Sequence, residues 1–165
     1  KTAYASYWAE IINGWMEENE RHEKLYRLFE YVLSQLDDGA ISEALLSILF
    51  QMRFLKLAGL SPNLSDCSIC RSGMESAFGG ALLFDLPKGG IVCERCARYV
   101  AKSIRLSKGT IKQLCWLESD DINKASRIRF SPAALNESLS FLEAFVPFHL
   151  GKKPRSLAFL QQVRR

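Results

Sequence analysis

Apolar residues recur every three or four positions along the first part of the chain, the mark of helices that bury one face. Tyr4, Trp8, Ile11, Ile12 and Trp15 share one side of a helix predicted over Thr2 to Met16. Leu25, Leu28, Phe29, Val32, Leu33 and Leu36 do the same for a second, from Glu20 to Leu36, which Asp37-Asp38-Gly39 ends. A third, from Ile41 to Ala58, is apolar on most sides through Leu45, Leu46, Ile48, Leu49, Met52, Leu55 and Leu57. Such a helix belongs at the centre of a bundle. Gly59 stops it.

Between Ser61 and Val92 the helical period is lost. Ser61-Pro62-Asn63 reads as a turn, Ala81 to Phe84 as a short strand, and Lys88-Gly89-Gly90 as a turn back into Ile91-Val92. Helices are predicted again over Glu94 to Leu106, Lys108 to Leu117 and Pro132 to Leu150. Ser131 is placed as an N-cap with Pro132 at the first helical position, and Pro147 predicts a kink. A short final helix carries Leu157, Phe159, Leu160 and Val163. The fold class is therefore mostly α, a helical bundle interrupted by a small β-hairpin insertion that two cysteine pairs bracket. Residues 1–60 form the N-terminal helices, 61–96 the insertion and 97–165 the C-terminal helices of the same bundle.

Composition adds little to this until the cysteines are counted. The 165 residues are 48% hydrophobic, enough for a core. No apolar run approaches the ~20 residues that span a bilayer, and the first residues do not read as a signal peptide. The chain opens at Lys1 without a methionine and is read as part of something longer. Of its five cysteines, four form the pairs Cys67-Ser68-Ile69-Cys70 and Cys93-Glu94-Arg95-Cys96, 22 residues apart. An odd count with no secretion signal points to a reducing compartment and against two disulfides. A C-x-x-C turn lets two thiolates reach one ion, so Cys67, Cys70, Cys93 and Cys96 are assigned to a single zinc. Four thiolates leave no open position, which makes that metal structural. Cys115 shares a helical side with Ile111 and Leu114 and is expected to be a buried free thiol.

Catalytic chemistry is scarce. There are two histidines: His22 falls among surface charges, and His149 near a helix end suits packing or capping. No phosphate-binding, dinucleotide, nucleophile-elbow or zinc-hydrolase motif is present. Asp120-Asp121 reads as a solvated acidic pair. The chain is read as a binding protein and not an enzyme.

Charge is uneven. Residues 1–50 hold four Lys/Arg against nine Asp/Glu, and residues 51–165 hold eighteen against nine. Arg95, Arg98, Lys102 and Arg105 are spaced three, four and three apart, which on a helix makes one cationic ridge suited to following phosphates. Lys108, Lys112, Arg127 and Arg129 extend the set, and Lys152, Lys153, Arg155, Arg164 and Arg165 form a second basic segment. A solvated helix face would give the same spacing.

Three motifs in order resemble the bacterial RecO recombination mediators. They are Met52-Arg53-Phe54-Leu55-Lys56-Leu57-Ala58-Gly59-Leu60-Ser61-Pro62-Asn63-Leu64 before the first cysteine pair, and Gly89-Gly90-Ile91-Val92-Cys93-x-x-Cys96-Ala97. The third runs Phe148-His149-Leu150-Gly151-Lys152-Lys153-Pro154-Arg155-Ser156-Leu157-x-Phe159-Leu160. The resemblance implies a cytoplasmic, nucleoid-associated bacterial protein with an OB-fold domain upstream. It implies binding of single- and double-stranded DNA without sequence preference, and of the acidic C-terminal tail of the single-stranded DNA-binding protein SSB. It also implies action with RecR in loading RecA. Some members lack the cysteines, so the metal supports a scaffold. No motif fixes the tail pocket, which should join an apolar cleft to cations; Arg53, Lys56 and the ridge are candidates by composition. The alternative is a protein–protein adaptor with little DNA binding of its own.

Overall fold

Helix α3, Glu43–Leu57, is the axis of the bundle. Its Leu46, Ile48, Leu49, Phe50, Met52, Phe54 and Leu55 are buried on every side, as an all-round apolar helix requires. Ser42 caps its start, accepting from the Leu45 N–H at 3.3 Å. The structure, a computed structural model, describes residues 1–17, 21–73, 81–118 and 121–164.

Two polar residues of α3 are buried one turn apart and are satisfied from α1, Thr2–Trp15. Trp8 donates its indole N–H to Ser47 Oγ at 3.2 Å, and the Tyr7 hydroxyl meets Gln51 Oε1 at 3.1 Å. Gln51 turns its amide back on Ser47. A buried amide would be costly without these partners, so the network fixes the register of α1 on α3. Helix α2, Glu23–Asp38, adds Leu25, Leu28, Val32 and Leu36, and ends where Gly39 takes φ 71°, a left-handed cap that glycine adopts without strain.

The insertion is a three-stranded antiparallel sheet in the order β2-β1-β3: β1 Ala81–Asp85, β2 Gly90–Val92 and β3 Ser103–Ser107. Register sets its two faces. Phe84 lies opposite Ile91 and Ile104, and Leu83 opposite Val92 and Arg105. The Phe84 face packs on α6 (Pro132–His149), its ring 4.7 Å from Phe141 and 5.3 Å from Phe145. Three edge-to-face or stacked rings thus seal the insertion to the bundle.

Two expectations are corrected here. The hairpin has a third strand, and that strand comes from the segment predicted as a helix over Glu94 to Leu106. This segment is a 3₁₀ helix at Glu94–Tyr99 followed by β3. In β3 the side chains alternate, with Ile104 and Leu106 turned to the sheet's inner face and Ser103 and Arg105 exposed. Strand pairing with β1 outweighs the helical spacing of the cations, because it alone buries Leu106 against Leu82.

Ser107 then caps α4, Lys108–Leu117, whose buried line is Thr110, Ile111, Leu114 and Leu117. Cys115 lies off that line and is exposed, which corrects the expectation of a buried thiol. A single turn, α5 (Ile122–Ala125), is capped by Asp121; Asp120 lies outside the described residues. Helix α6 begins at Pro132 on its Ser131 cap as the sequence predicts, and runs on through Pro147 to His149. Helix α7, Arg155–Val163, packs on α1.

Candidate functional site

The first cysteine pair is shaped by short-range hydrogen bonds. Asn63 Oδ1 accepts from the N–H groups of Ser65 and Asp66, turning the chain into Cys67. The Cys67 N–H donates to the Ser72 carbonyl at 2.9 Å, and the Arg71 N–H to the Cys67 carbonyl at 2.9 Å. Arg71 takes φ 62°, among the described residues the one left-handed backbone that is not a glycine. This tight knuckle points Cys67 and Cys70 the same way.

The second pair follows from β2. Cys93 ends the extended backbone and opens the 3₁₀ helix, which carries Cys96 back beside it. The halves are stitched together by Ser68 N–H to Ile91 carbonyl (2.8 Å) and Cys93 N–H to Cys67 Sγ (3.4 Å). Asn63 pairs with the free side of β2, donating to the Gly89 carbonyl and accepting from the Ile91 N–H. Here Gly90 is required by close approach, since a Cβ would stand 2.0 Å from Ser68 Oγ.

The four sulfurs of Cys67, Cys70, Cys93 and Cys96 lie within 4.8 Å of one another, and Cys70 and Cys93 are 3.6 Å apart. Tetrahedral thiolates around one zinc-sized ion stand about 3.8 Å apart. The sulfurs fit one metal ion with little movement. Among the described residues no other histidine, cysteine and carboxylate group has this closeness. The Ser72 hydroxyl and N–H hold the Cys70 thiol down to about 6, whereas burial and its three sulfur neighbours push Cys96 up to about 12. Burial raises Cys67, but N–H groups of Cys70, Cys93 and Ile69 outweigh it and lower the thiol. N–H donors of this kind stabilise a ligating thiolate.

The structure divides Arg95, Arg98, Lys102 and Arg105 between the 3₁₀ helix and the start of β3 rather than setting them on one helical ridge. Arg95 and Arg98 are three apart on the 3₁₀ helix and so eclipse one another. Lys102 precedes β3, its carbonyl accepting from Leu86 N–H, and Arg105 stands on the face of the sheet that carries Leu83 and Val92. All four are exposed, and none has a carboxylate within ion-pair distance among the described residues.

A second cationic feature lies between α2 and α3. A cleft of about 510 Å³ is floored by Leu28, Leu57 and Ile122 with Tyr31, and rimmed by Lys24, Arg27, Arg53 and Lys56. Arg27 pairs with Glu23, and Lys56 Nζ reaches the Glu118 carbonyl at 2.9 Å. Sequence reasoning picked out Arg53 and Lys56 but missed Lys24 and Arg27. Their spacing of three on α2 puts them on one side, but only the packing of α2 on α3 shows which helix they face.

His149 packs its ring 4.3 Å from Phe145 and against Gly89 at the hairpin turn. Its place is structural, joining α6 to the insertion. Burial lowers its pKa.

Residues 1–158 match the family model described as "Recombination protein O C terminal". This chain belongs to the RecO family. It is 44% identical over 168 residues to the DNA repair protein RecO of Desulfosudis oleivorans, covering 99% of this chain and 65% of that protein. It is 42% identical to that of Desulfatibacillum aliphaticivorans, over 100% of this chain and 64% of the relative. For Syntrophus aciditrophicus RecO the identity is 32%, over 100% and 63%. The chain thus spans a little under two-thirds of these curated relatives. In RecO terms, the three motifs seen in the sequence fall at the end of α3, at β2 with the second cysteine pair, and at the α6–α7 junction. No helix among the described residues is long and apolar enough to cross a membrane.

Proposed function

We propose that this chain is the helical, metal-stabilised part of a DNA repair and recombination mediator, which binds DNA and the acidic tail of SSB and acts with RecR to load RecA. The observation that carries the reading is the α2–α3 cleft. An acidic peptide ending in an aromatic residue needs an apolar floor for the ring and cations for its carboxylates. Leu28, Leu57 and Ile122 supply the first; Lys24, Arg27, Arg53 and Lys56 supply the second. DNA is assigned to the exposed cations Arg95, Arg98, Lys102 and Arg105, taken to meet phosphates, a contact that carries no sequence information.

The ion in the cysteine centre is zinc on this reading, because four cysteine sulfurs within 4.8 Å of one another suit a soft structural site. When bound it clamps the knuckle to the 3₁₀ helix and supplies no reaction. The protein works by binding alone, in the bacterial cytoplasm at the nucleoid.

The test is a fluorescence-polarisation titration of the chain with single-stranded DNA and with an acidic, aromatic-ended tail peptide at two salt concentrations. Peptide binding lost in Arg53→Glu/Lys56→Glu at unchanged metal content supports the cleft; unchanged peptide affinity removes it. DNA affinity should fall steeply with salt. Peptide binding with no DNA binding would instead favour an adaptor, with DNA contacted elsewhere in the full-length protein.

A further inference from the structure

Tyr99 closes the 3₁₀ helix with 62% of its surface exposed. Its one ring contact among the described residues is a cation: the Arg98 guanidinium lies 4.9 Å from its centroid. This contact orients the ring without covering both faces. Arg95 precedes Arg98 by one 3₁₀ turn, and Lys102 follows Tyr99 by three residues. The 3₁₀ helix packs against β1, and β1 pairs with the strand that carries Arg105 on its outer face. Glu94 is the one acidic residue of that turn, and no ion pair ties it to these cations.

An exposed aromatic face bordered by unpaired cations is the combination that single-stranded nucleic acid uses, with phosphates on the cations and a splayed base on the ring. A duplex keeps its bases stacked inside and has no use for the ring. We propose that Tyr99 is a stacking platform for an unpaired base and gives this metal-held surface its preference for single strands over duplex. This rests on the DNA-binding reading of the four cations, and it adds the group that discriminates strandedness.

The test uses the whole 165-residue chain with its metal content checked, titrated with a single-stranded oligonucleotide and the matching duplex. Tyr99→Leu should weaken single-strand binding by about fivefold or more and leave duplex binding within about twofold, since loss of one stack costs at least that much. Tyr99→Phe should restore the single-strand affinity. In parallel, an oligonucleotide carrying 5-iodouracil should photocrosslink to Tyr99, located by mass spectrometry. Equal loss for single strand and duplex, no loss in Tyr99→Leu, or a crosslink only at other residues would overturn the platform while leaving DNA binding intact. A wild-type chain that binds neither nucleic acid overturns both readings at once.

Discussion

Glu10 of α1 caps the first turn of α7 through Ser156. The carboxylate accepts from the Ser156 N–H at 2.9 Å and from the Ser156 hydroxyl, while its other oxygen takes the Arg155 N–H at 2.9 Å. Residues 145 and 146 apart in sequence are thus joined by a helix cap that is supplied from another helix. The Ser156 hydroxyl, then the Ser156 and Arg155 N–H groups and the Arg155 charge, hold the Glu10 carboxyl below its ordinary value against a smaller opposing effect of burial.

Glu10→Gln should therefore destabilise the fold by about 1 kcal/mol, the usual worth of a cap. A group with a lowered folded pKa stabilises above its unfolded value and loses that contribution as pH falls through the folded one. The wild-type chain should lose this increment below about pH 4.5, the ordinary value, and the Gln variant should not. Urea melts of both proteins between neutral pH and acid would show it. Parallel pH curves would remove Glu10 from the account.

Metal removal should unfold the insertion before the bundle. The knuckle and the 3₁₀ helix that flank the sheet meet through the four thiolates and a few backbone bonds, whereas α3 is packed by α1, α2 and α6 without them. A strong chelator should release one ion per chain and abolish hydrogen-exchange protection in β1, β2 and β3. Protection in α3 should persist. Simultaneous loss in both regions would mean that the metal stabilises the entire chain.

Gly90→Ala should be among the most damaging small substitutions in the chain. Its Cβ would meet Ser68 Oγ at 2.0 Å and the Asn63 Cβ and carbonyl at 3.1 and 3.3 Å. The cost is expected at about 1–3 kcal/mol, the range for overpacking. Adding Ser68→Gly should return part of it by removing the nearest atom, an interaction that a double-mutant cycle on thermal stability measures. Full additivity would place the damage elsewhere.

His149 should make the junction of α6 with the hairpin turn sensitive to acid. Burial lowers its pKa, so the folded state favours the neutral ring. Protonation in the unfolded chain begins near 6.5, the ordinary value, and from there stability falls until the folded pKa is passed. His149→Phe keeps a ring against Phe145 and should flatten stability between pH 7 and pH 5. The measurement is a thermal melt at each pH, and an unchanged slope would exclude His149 as its source.

Where apolar residues repeat over many turns, the sequence was readable. The periodicity of Tyr4, Trp8 and Ile11 or of Leu25, Leu28 and Val32 leaves one way to bury them, and α1, α2, α3 and α6 follow. The Cys67, Cys70, Cys93 and Cys96 grouping was equally legible, because a C-x-x-C turn fixes local geometry whatever surrounds it. The segment after Cys96 was not. Arg95, Arg98, Lys102 and Arg105 satisfy a helical spacing, but exposed cations exert little pull on backbone conformation. The deciding residues were Ile104 and Leu106, whose alternation is only two apolar positions long and is settled by β1 lying alongside. For Cys115 the choice was between neighbouring stripes of one helix, and Leu117 tips burial to the other side. The α2–α3 cleft was invisible for a different reason: it belongs to the pairing of two helices and to neither alone.

The pairing of Asn63 and Ser68 with β2 has a further consequence. Together they occupy the backbone groups on the side of β2 that β1 leaves open. An open strand edge invites another chain to add to the sheet. The cysteine knuckle, by holding Ser68 in place, therefore works as a guard against self-association. A chain stripped of its metal would open this edge at Ile91, where one of its own loops had kept other strands away.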